Sequence, residues 1–247
     1  VIDIHSHILP DLDDGSTSLE QSIYMLEMAQ SNGVTDIILT PHCSVMFPNF
    51  YGKALSSSFQ QLKDKARDIP INLYLGQENY ATDNLLHQIS RKRSISLNFS
   101  KYFLVEFSFS PTADPLWITY MLKQISRLGY VPVIAHPERY PYVIEFPQML
   151  FDWVSSGALA QINSGSIIGN LGGSEKSTAM RLLEHKLVHF VASDCHNTSS
   201  RKPNLSKAYG IVSDCFHPDY ANLLFNVNPK RIITNEDVII PKPIPFF

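Results

Sequence analysis

No stretch of this sequence approaches the roughly 20 consecutive apolar residues that a membrane-crossing helix needs, so a transmembrane span is not expected. The opening Val1-Ile2-Asp3-Ile4 lacks the basic-then-apolar layout of a secretory signal, and a cytoplasmic location is expected. That the chain starts at Val1 suggests a missing or altered initiator and no more. Cysteine is scarce: Cys43, Cys195 and Cys215 cannot all pair and show no metal-knuckle spacing, which argues against a disulfide scaffold and for free thiols. Neither sign of charge dominates. Twenty basic side chains stand against 23 acidic ones, and the longest basic run is Arg91-Lys92-Arg93, too short to hold nucleic acid by counterion release. No linker or low-complexity stretch divides the chain. One domain over residues 1–240 is expected, followed by an extended tail over 241–247 that contains Pro241-Lys242-Pro243-Ile244-Pro245.

What is present is one repeating unit: a short β-branched run, a polar turn and a segment of helical periodicity. The pattern predicts strands over Ile2–His5, Asp36–Thr40, Ile71–Leu75, Phe103–Phe107, Val131–Ala135, Leu159–Ile162 and Val188–Ser193. Helices are predicted over Leu19–Ser31, Leu55–Arg67, Asp83–Ser90, Pro115–Leu128, Phe146–Ser156, Ser174–His185 and Leu205–Cys215. Ser18 and Asp114 stand where N-caps belong, and Gly33 and Gly129 just past helix ends. Strict alternation of this kind implies a parallel sheet in an α/β fold.

Carboxylates and imidazoles recur at the ends of the predicted strands. His5 ends the first strand and His7 comes just after it, Asp14 lies in the turn beyond, then come His42, Glu78, Glu106 and His136, and finally Asp194 and His196. In a parallel barrel the loops after the strands share one face, where catalytic groups collect. Side chains two apart on a strand point the same way, so His5 with His7, and Asp194 with His196, can each clasp one ion. Imidazole and carboxylate without thiolate is the donor mix of Mn, Fe, Zn or Mg rather than of a closed cysteine site. Nine donors exceed one coordination sphere and imply two or three divalent ions. Each donor alone has a plainer reading: His42 as a hydrogen-bonded structural residue, Glu78 and Glu106 as salt-bridge partners, Asp11-Leu12-Asp13-Asp14-Gly15 as a turn in which Asp11 and Asp13 compete with Asp14. His87, His185, His189 and His217 fall off the proposed face, and His185 suits a helix C-terminus.

Taken together, the segments Asp3-Ile4-His5-Ser6-His7-Ile8-Leu9-Pro10, Asp13-Asp14-Gly15, Thr40-Pro41-His42, Gly76-Gln77-Glu78, Ala135-His136-Pro137-Glu138-Arg139 and Ala192-Ser193-Asp194-Cys195-His196-Asn197 resemble the polymerase and histidinol phosphatase (PHP) superfamily almost end to end. The closer similarity is to its capsule and exopolysaccharide branch. These are manganese-dependent tyrosine-protein phosphatases of Gram-positive bacteria, acting on the phosphotyrosine tail of a polysaccharide-assembly tyrosine kinase. The resemblance implies a distorted (β/α)7 TIM-like barrel, Mn as the metal and such a kinase as partner. It also implies one ion on His5, His7 and Asp194, with Glu78 bridging to a second completed by Glu106 and His136, and a third on Asp14, His42 and His196. Cys43 and Cys195 depart from the branch pattern beside two ligands without removing either.

The chemistry follows from charge. A phosphate monoester brings two negative charges, which divalent ions neutralise while lowering the pKa of bound water toward about 7. In-line attack at phosphorus calls for planar cationic donors around the equatorial oxygens, and Arg139 and Arg201 each lie a few residues past a donor. Tyrosinate, with a reference pKa of about 10, leaves more readily than an alkoxide. Phe47, Phe50, Tyr51, Phe109 and Tyr140 are candidates to line a phenyl pocket, with packing as the alternative. The stretch Cys195 to Arg201 also spells Cys-x5-Arg, the phosphate loop of cysteine-dependent tyrosine phosphatases, but it holds no glycine and leaves every other donor unused. Alternatives to a protein-tyrosine phosphatase are a PHP phosphatase of a small metabolite such as histidinol phosphate, a nuclease-like phosphoesterase, a metal-dependent amidohydrolase, and a noncatalytic module that binds a phosphorylated tail.

Overall fold

Parallel strands buried on both faces read as near-continuous apolar runs, and most strands of this computed structural model, which describes residues 1–246, are of that kind, the polar His42–Cys43 and Glu78–Tyr80 and the partly exposed Asn72–Leu75 excepted. They are β1 (Ile2–Asp3), β2 (Asp36–Leu39), β3 (His42–Cys43), β4 (Asn72–Leu75), β5 (Glu78–Tyr80), β6 (Tyr102–Glu106), β7 (Val131–Ala135), β8 (Leu159–Asn163) and β9 (Phe190–Ala192). A sheet of three strands runs β1-β2-β4 and one of six runs β3-β5-β6-β7-β8-β9, with every pairing parallel. The result is a mixed α/β domain with a curled parallel sheet, as a TIM-like fold requires.

Backbone contacts link the two sheets. Ser6 and Cys195 form a parallel bridge, the His7 N–H donates to the Cys195 carbonyl (2.9 Å) and the Asp194 N–H to that of His5 (2.9 Å). Gly76 N–H donates to Leu39 O (2.9 Å) and Glu78 N–H to Pro41 O (3.3 Å), so the end of β2 remains beside the chain running from β4 into β5.

Alternation along the strands separates two apolar layers. Ile38, Tyr102, Leu104, Val133, Ala135, Leu159, Phe190 and Ala192 form a small inner cluster together with Ile2, Ile4, Leu97 and Ile232. The intervening residues, among them Ile37, Leu39, Phe103, Val105, Ile134, Ala160, Ile162 and Val191, pack under the helices. Burying a single Leu or Ile side chain contributes on the order of 2 kcal/mol, so these layers are the main support of the sheet.

All seven predicted strands and all seven predicted helices occur, with bounds within two residues. Ser18 accepts from Gln21 N–H and Asp114 from Leu116 N–H as N-caps, and Gly33 and Gly129 take the positive φ of their C-terminal turns. Unforeseen are β3 and β5, the short helices Pro141–Glu145 and Ser164–Ile168, and the run Pro218–Asn222, Leu223–Val227 and Asn228–Ile233, whose middle member is a π-helical turn. After Ile233 the described chain has no helix or strand; Ile244 N–H donates to His185 O (2.9 Å) and Phe246 stacks on the His185 ring. The predicted tail's last residue, Phe247, lies outside the described residues.

Candidate metal centre

Strand ends and the turns just after them bring the nine expected donors together at one end of the sheet. Glu78, the first residue of β5, is fully buried at their centre. Its Oε2 lies 3.2 Å from His5 Nε2, 3.2 Å from His7 Nε2 and 2.9 Å from His42 Nδ1, while its Oε1 lies 2.8 Å from His136 Nε2. Asp194 Oδ1 stands 3.6 Å from His5 Nε2 and 3.5 Å from His7 Nε2. Asp14, half exposed, puts Oδ1 3.4 Å from His42 Nε2 and 3.3 Å from His196 Nε2. Glu106 closes the far side, 3.6 Å from His136 Nε2 and 4.0 Å from His42 Nδ1.

Four subsets are compact enough to hold an ion: His5, His7 and Asp194; His7, Asp14, His42 and His196; His5, Glu78 and His136; and His42, Glu78 and Glu106. The first is one ligand set implied by the family resemblance, and the second is another with His7 added. Glu106 and His136, expected on one ion with Glu78, fall in separate compact subsets, but their side chains lie 3.6 Å apart and both adjoin Glu78.

The donors fit divalent cations. With His5 Nδ1 on Gln161 and His7 Nδ1 on Asp13, the two Nε2 atoms face each other at 3.1 Å, placed to share one cation. Glu78 Oε2 and His196 Nε2 are buried without a hydrogen-bond partner despite their close neighbours. An orienting partner on the ring's other nitrogen is present for His5, His7 and His196, the last through the Asp194 carbonyl, whereas His136 Nδ1 is buried without one. His7 Nδ1 meets Asp13 Oδ2 at 2.7 Å, and His5 Nδ1 meets Gln161 Oε1 at 2.8 Å. Asp13 also accepts from His42 N–H (2.8 Å) and Gly15 N–H (2.9 Å), which resolves the turn: Asp13 orients, Asp14 faces the cluster, and Asp11 is exposed. Gln161 donates to Asn163 Oδ1 (2.9 Å), and Asn163 donates to Asp194 Oδ2 (2.6 Å). Asp13, Gln161 and Asn163 were not singled out from the sequence as partners of the donors. The signal was a pair of amides two apart on the otherwise apolar β8.

Two donors sit on strained backbone. His136 (φ 33°) and Asp194 (φ 50°) are left-handed, a conformation that costs a non-glycine residue of order 1–3 kcal/mol and collects at functional sites.

The electrostatics drive neighbouring groups apart. Burial opposes charge on His5, but Glu78 and Asp194 outweigh it and raise the imidazole to about 9. His42 is lifted against burial to about 12 by Glu78 and Asp14. Burial disfavours the ionised carboxyls of Glu78 and Asp194 too, yet the imidazoles around Glu78, and His5 and Arg201 beside Asp194, hold both below the ordinary range. Burial and the charge of Glu78 raise Glu106 to about 8, and burial takes His136 down to about 4.

Both expected arginines reach the cluster. Arg201 Nη2 donates to Asp194 Oδ2 at 2.7 Å and Arg139 Nη1 to the same oxygen at 3.3 Å. Arg139 lies over the Phe109 ring, which stacks on His136; Phe47 stacks on His42. Of the other aromatic candidates, only Tyr140 adjoins the cluster, its ring edge-on to His136 and Phe109. Tyr140 is fully buried and its hydroxyl accepts from Phe107 N–H (2.9 Å); Tyr51 packs on Phe99, and Phe50 sits under Arg93. Cys195 is sealed in the apolar layer beneath the helices, and burial and Asp3 push its thiol up, the reverse of what a nucleophilic cysteine needs. Of the histidines set aside, His189 is buried and accepts from Ala160 N–H through Nδ1, while His87 and His217 are exposed.

Known proteins resemble the chain along its whole length. The family described as capsular polysaccharide synthesis, CpsB/CapC, matches residues 1–234. Tyrosine-protein phosphatase YwqE of Bacillus subtilis (strain 168) is 34% identical over 247 residues, 99% of this chain and 96% of the relative. Tyrosine-protein phosphatase CpsB of Streptococcus pneumoniae is 34% identical over 243 residues, 96% and 99% of the two chains. A solved structure, described with YwqE and CpsB as metal-dependent tyrosine phosphatases, matches at TM-score 0.92 and 34% identity over 100% of both chains. The phosphotriesterase homology protein of Escherichia coli, 10% identical with TM-score 0.63 over 94% and 98% of the two chains, shares the fold alone. On its sequence and its architecture, this chain belongs to the CpsB/CapC family of capsular polysaccharide synthesis.

Proposed function

We propose that the protein is a metal-dependent protein-tyrosine phosphatase, hydrolysing phosphotyrosine on a bacterial tyrosine kinase of polysaccharide assembly. The observation that carries this reading is the convergence of nine imidazole and carboxylate donors with two guanidinium groups at one strand-end face. His5, His7 and Asp194 would hold one divalent ion, Glu78, Glu106 and His136 a second, and Asp14, His42 and His196 a third, with Mn the preferred metal and Fe, Zn or Mg the alternatives. Bound there, the ions neutralise phosphate charge and make solvent nucleophilic at neutral pH.

The chain's own groups do the rest. Arg139 and Arg201 are anchored on Asp194 Oδ2 with donors to spare, and those bind the equatorial phosphoryl oxygens as charge develops on them. Water attacks phosphorus, the bond to the tyrosyl oxygen breaks, and the tyrosinate departs. Gln161 and Asp13 keep His5 and His7 in one tautomer, and Asn163 holds the Asp194 carboxylate in place, so little reorganisation accompanies the step. The buried thiol of Cys195 has no part in it.

The barrel reading extends the fold. With β2 and β3 as one broken stave and β4 and β5 as another, the strands form a distorted (β/α)7 barrel over residues 1–240, with 241–247 as a tail; the bridge between Ser6 and Cys195 supports closure. A cytoplasmic setting agrees with three unpaired cysteines and with the absence, among the described residues, of any helix long and apolar enough to cross a membrane.

Phosphate release from a phosphotyrosine peptide, a phosphoserine peptide and histidinol phosphate, each with added Mn and with chelator, tests the proposal. Mn-dependent turnover of phosphotyrosine in preference to both others is expected. Preference for histidinol phosphate would assign the small-metabolite reading, and tight phosphopeptide binding without turnover the noncatalytic one.

A further inference from the structure

Two adjoining cavities lead away from the cluster. The nearer, about 350 Å³, is bordered by the donors His42 and Glu106 and by Val45, Met46, Phe47 and Tyr80. The further, about 270 Å³, shares Ser44, Val45 and Tyr80 with it and continues to Phe50, Gln88 and Ser94. Shared walls make them one groove. Its sides are fixed by hydrogen bonds: Asn49 Nδ2 donates to Leu12 O (2.7 Å) and His42 O (2.9 Å), and Gln77 Nε2 donates to Asn49 O. Val45 and Met46 are the most exposed large apolar side chains among the described residues, 84% and 82%, so core packing does not account for them.

Charge marks the other end. The Arg93 guanidinium lies 4.5 Å from the centroid of the Phe50 ring, and Ser94, next in sequence, lines the cavity. Arg91, Lys92 and Arg93 are all exposed, and none makes an ion pair among the described residues. Asp83, beside the lining residue Asn84, is engaged by the Trp117 indole N–H at 3.3 Å. Three positive charges against the one negative charge of Asp83, on a chain of net charge −3, are a directed feature suited to an acidic partner.

We propose that this groove is the docking subsite for the polypeptide flanking the phosphotyrosine, with Arg93, assisted by Arg91 and Lys92, selecting acidic residues in that segment. The inference rests on the phosphatase reading, and on continuity: the groove starts at His42 and Glu106, so a chain whose phosphate lies on the cluster has an apolar channel along Val45 and Phe47 and a cationic end to it. The occupant is an extended acidic peptide. A small phosphorylated metabolite would leave the groove and its cationic end unused.

The test compares three substrates in the presence of Mn: p-nitrophenyl phosphate, a phosphotyrosine peptide flanked by glutamates, and the same peptide flanked by lysines. For the wild type, the glutamate peptide is expected to have the lower KM of the two peptides, with the difference shrinking as salt rises. Arg93→Glu is expected to lower the ratio of glutamate-peptide kcat/KM to p-nitrophenyl phosphate kcat/KM by about fivefold, the scale of one partly exposed charge pair, through KM. The lysine peptide should gain. Val45→Asp, on the groove's lip, should act in the same direction. Equal treatment of the two peptides by the wild type, or an unchanged ratio in Arg93→Glu, overturns the groove while leaving the phosphatase intact. Failure of the wild type on all three substrates overturns the phosphatase reading and the groove with it.

Discussion

Asp13 touches no phosphate and heads no ligand subset, yet the structure makes it the residue whose loss should be most informative. Its carboxylate accepts from three directions: His7 Nδ1 at 2.7 Å, His42 N–H at 2.8 Å and Gly15 N–H at 2.9 Å. Burial opposes its ionisation, but His7 and His42 more than compensate, so it is a carboxylate when it orients them. In Asp13→Asn one face of the side chain can still accept from His7 and His42, while its amide nitrogen must face Gly15 N–H, donor against donor. Turning the amide over to relieve that clash puts its nitrogen against His7 Nδ1, and the His7 tautomer that presents Nε2 to Glu78 and Asp194 is then no longer enforced. Partners of this kind are worth about 10–100-fold in metal affinity, or about 1.4–2.7 kcal/mol. Titrating Mn into metal-free protein by calorimetry, with a melting curve to show that the variant folds, measures the effect directly. Activity should return when Mn is raised to saturation. An Mn affinity equal to that of the wild type would refute the orienting role, as would a loss of activity that no excess of Mn repairs.

Other perturbations separate the remaining parts. Without metal, His5 (6.5 to about 9) and Glu106 (4.5 to about 8) bind protons more tightly when folded; the His5 contribution is whole below pH 6.5 and the Glu106 contribution below pH 4.5, both are lost as pH rises toward about 9, and His42, raised to about 12, prolongs the loss. Melting in chelator should fall across that window and the gain from Mn should widen, since Mn competes with those protons; a flat chelator curve would refute the assignment. Cys195→Ser should retain Mn-dependent turnover while chelation of the wild type abolishes it, and the reverse result would restore the thiol mechanism. Arg201→Lys exchanges a fork of donors held 2.7 Å from Asp194 for a point charge, and kcat/KM should drop by about a hundredfold. An unaltered Mn affinity would locate that loss at the phosphoryl group; a parallel loss of Mn would place it at Asp194 instead.

The fold was legible in the sequence where burial is uniform. Val131–Ala135 and Asp36–Leu39 lie between layers on both faces, so their composition carries the strand signal without help from alternation. β3 and β5 carry too few residues to register, and each follows a break, Pro41 or Gly76-Gln77, that reads as a loop. The run from Pro218 to Ile233 changes helical pitch at Leu223–Val227, and no periodicity survives that. At the site, His5 with His7 and Asp194 with His196 could be read because one spacing on a strand places both side chains together. From the residues alone Asp13 and Asp14 differ only in which way the turn aims them, so the choice of Asp14 rests on the family resemblance. For Tyr140 both readings offered by the sequence have a part in the structure: its ring meets His136 edge-on, while its hydroxyl is buried and caps the Phe107 N–H.

How the donors are held differs with their place in the cluster. Glu78 is positioned by sheet register, paired level with His42 between β3 and β5, so its central place follows from the same hydrogen bonds that build the fold. His136 and Asp194 lie beyond the last paired residues of β7 and β9, Ala135 against Gln161 and Ala192 against Asn163. Ala135 faces the inner cluster, and regular alternation would send the next side chain, His136, outward toward the helices. The left-handed turn at His136 redirects it inward, and the one at Asp194 lets its carboxylate meet His5, His7 and both arginines at once. Such turns persist only where the surroundings over-determine them. Here the bridge from Ser6 to Cys195 and the hydrogen bond from Asn163 to Asp194 do so on one side. On the other, Glu138 accepts from Asn163 N–H and from the Ser166 hydroxyl, tying the chain just after His136 to the end of β8. Strain at the rim is therefore sustained by order in the strands, and a substitution that loosens β8 at Gln161 or Asn163 disturbs the donors on both sides of it.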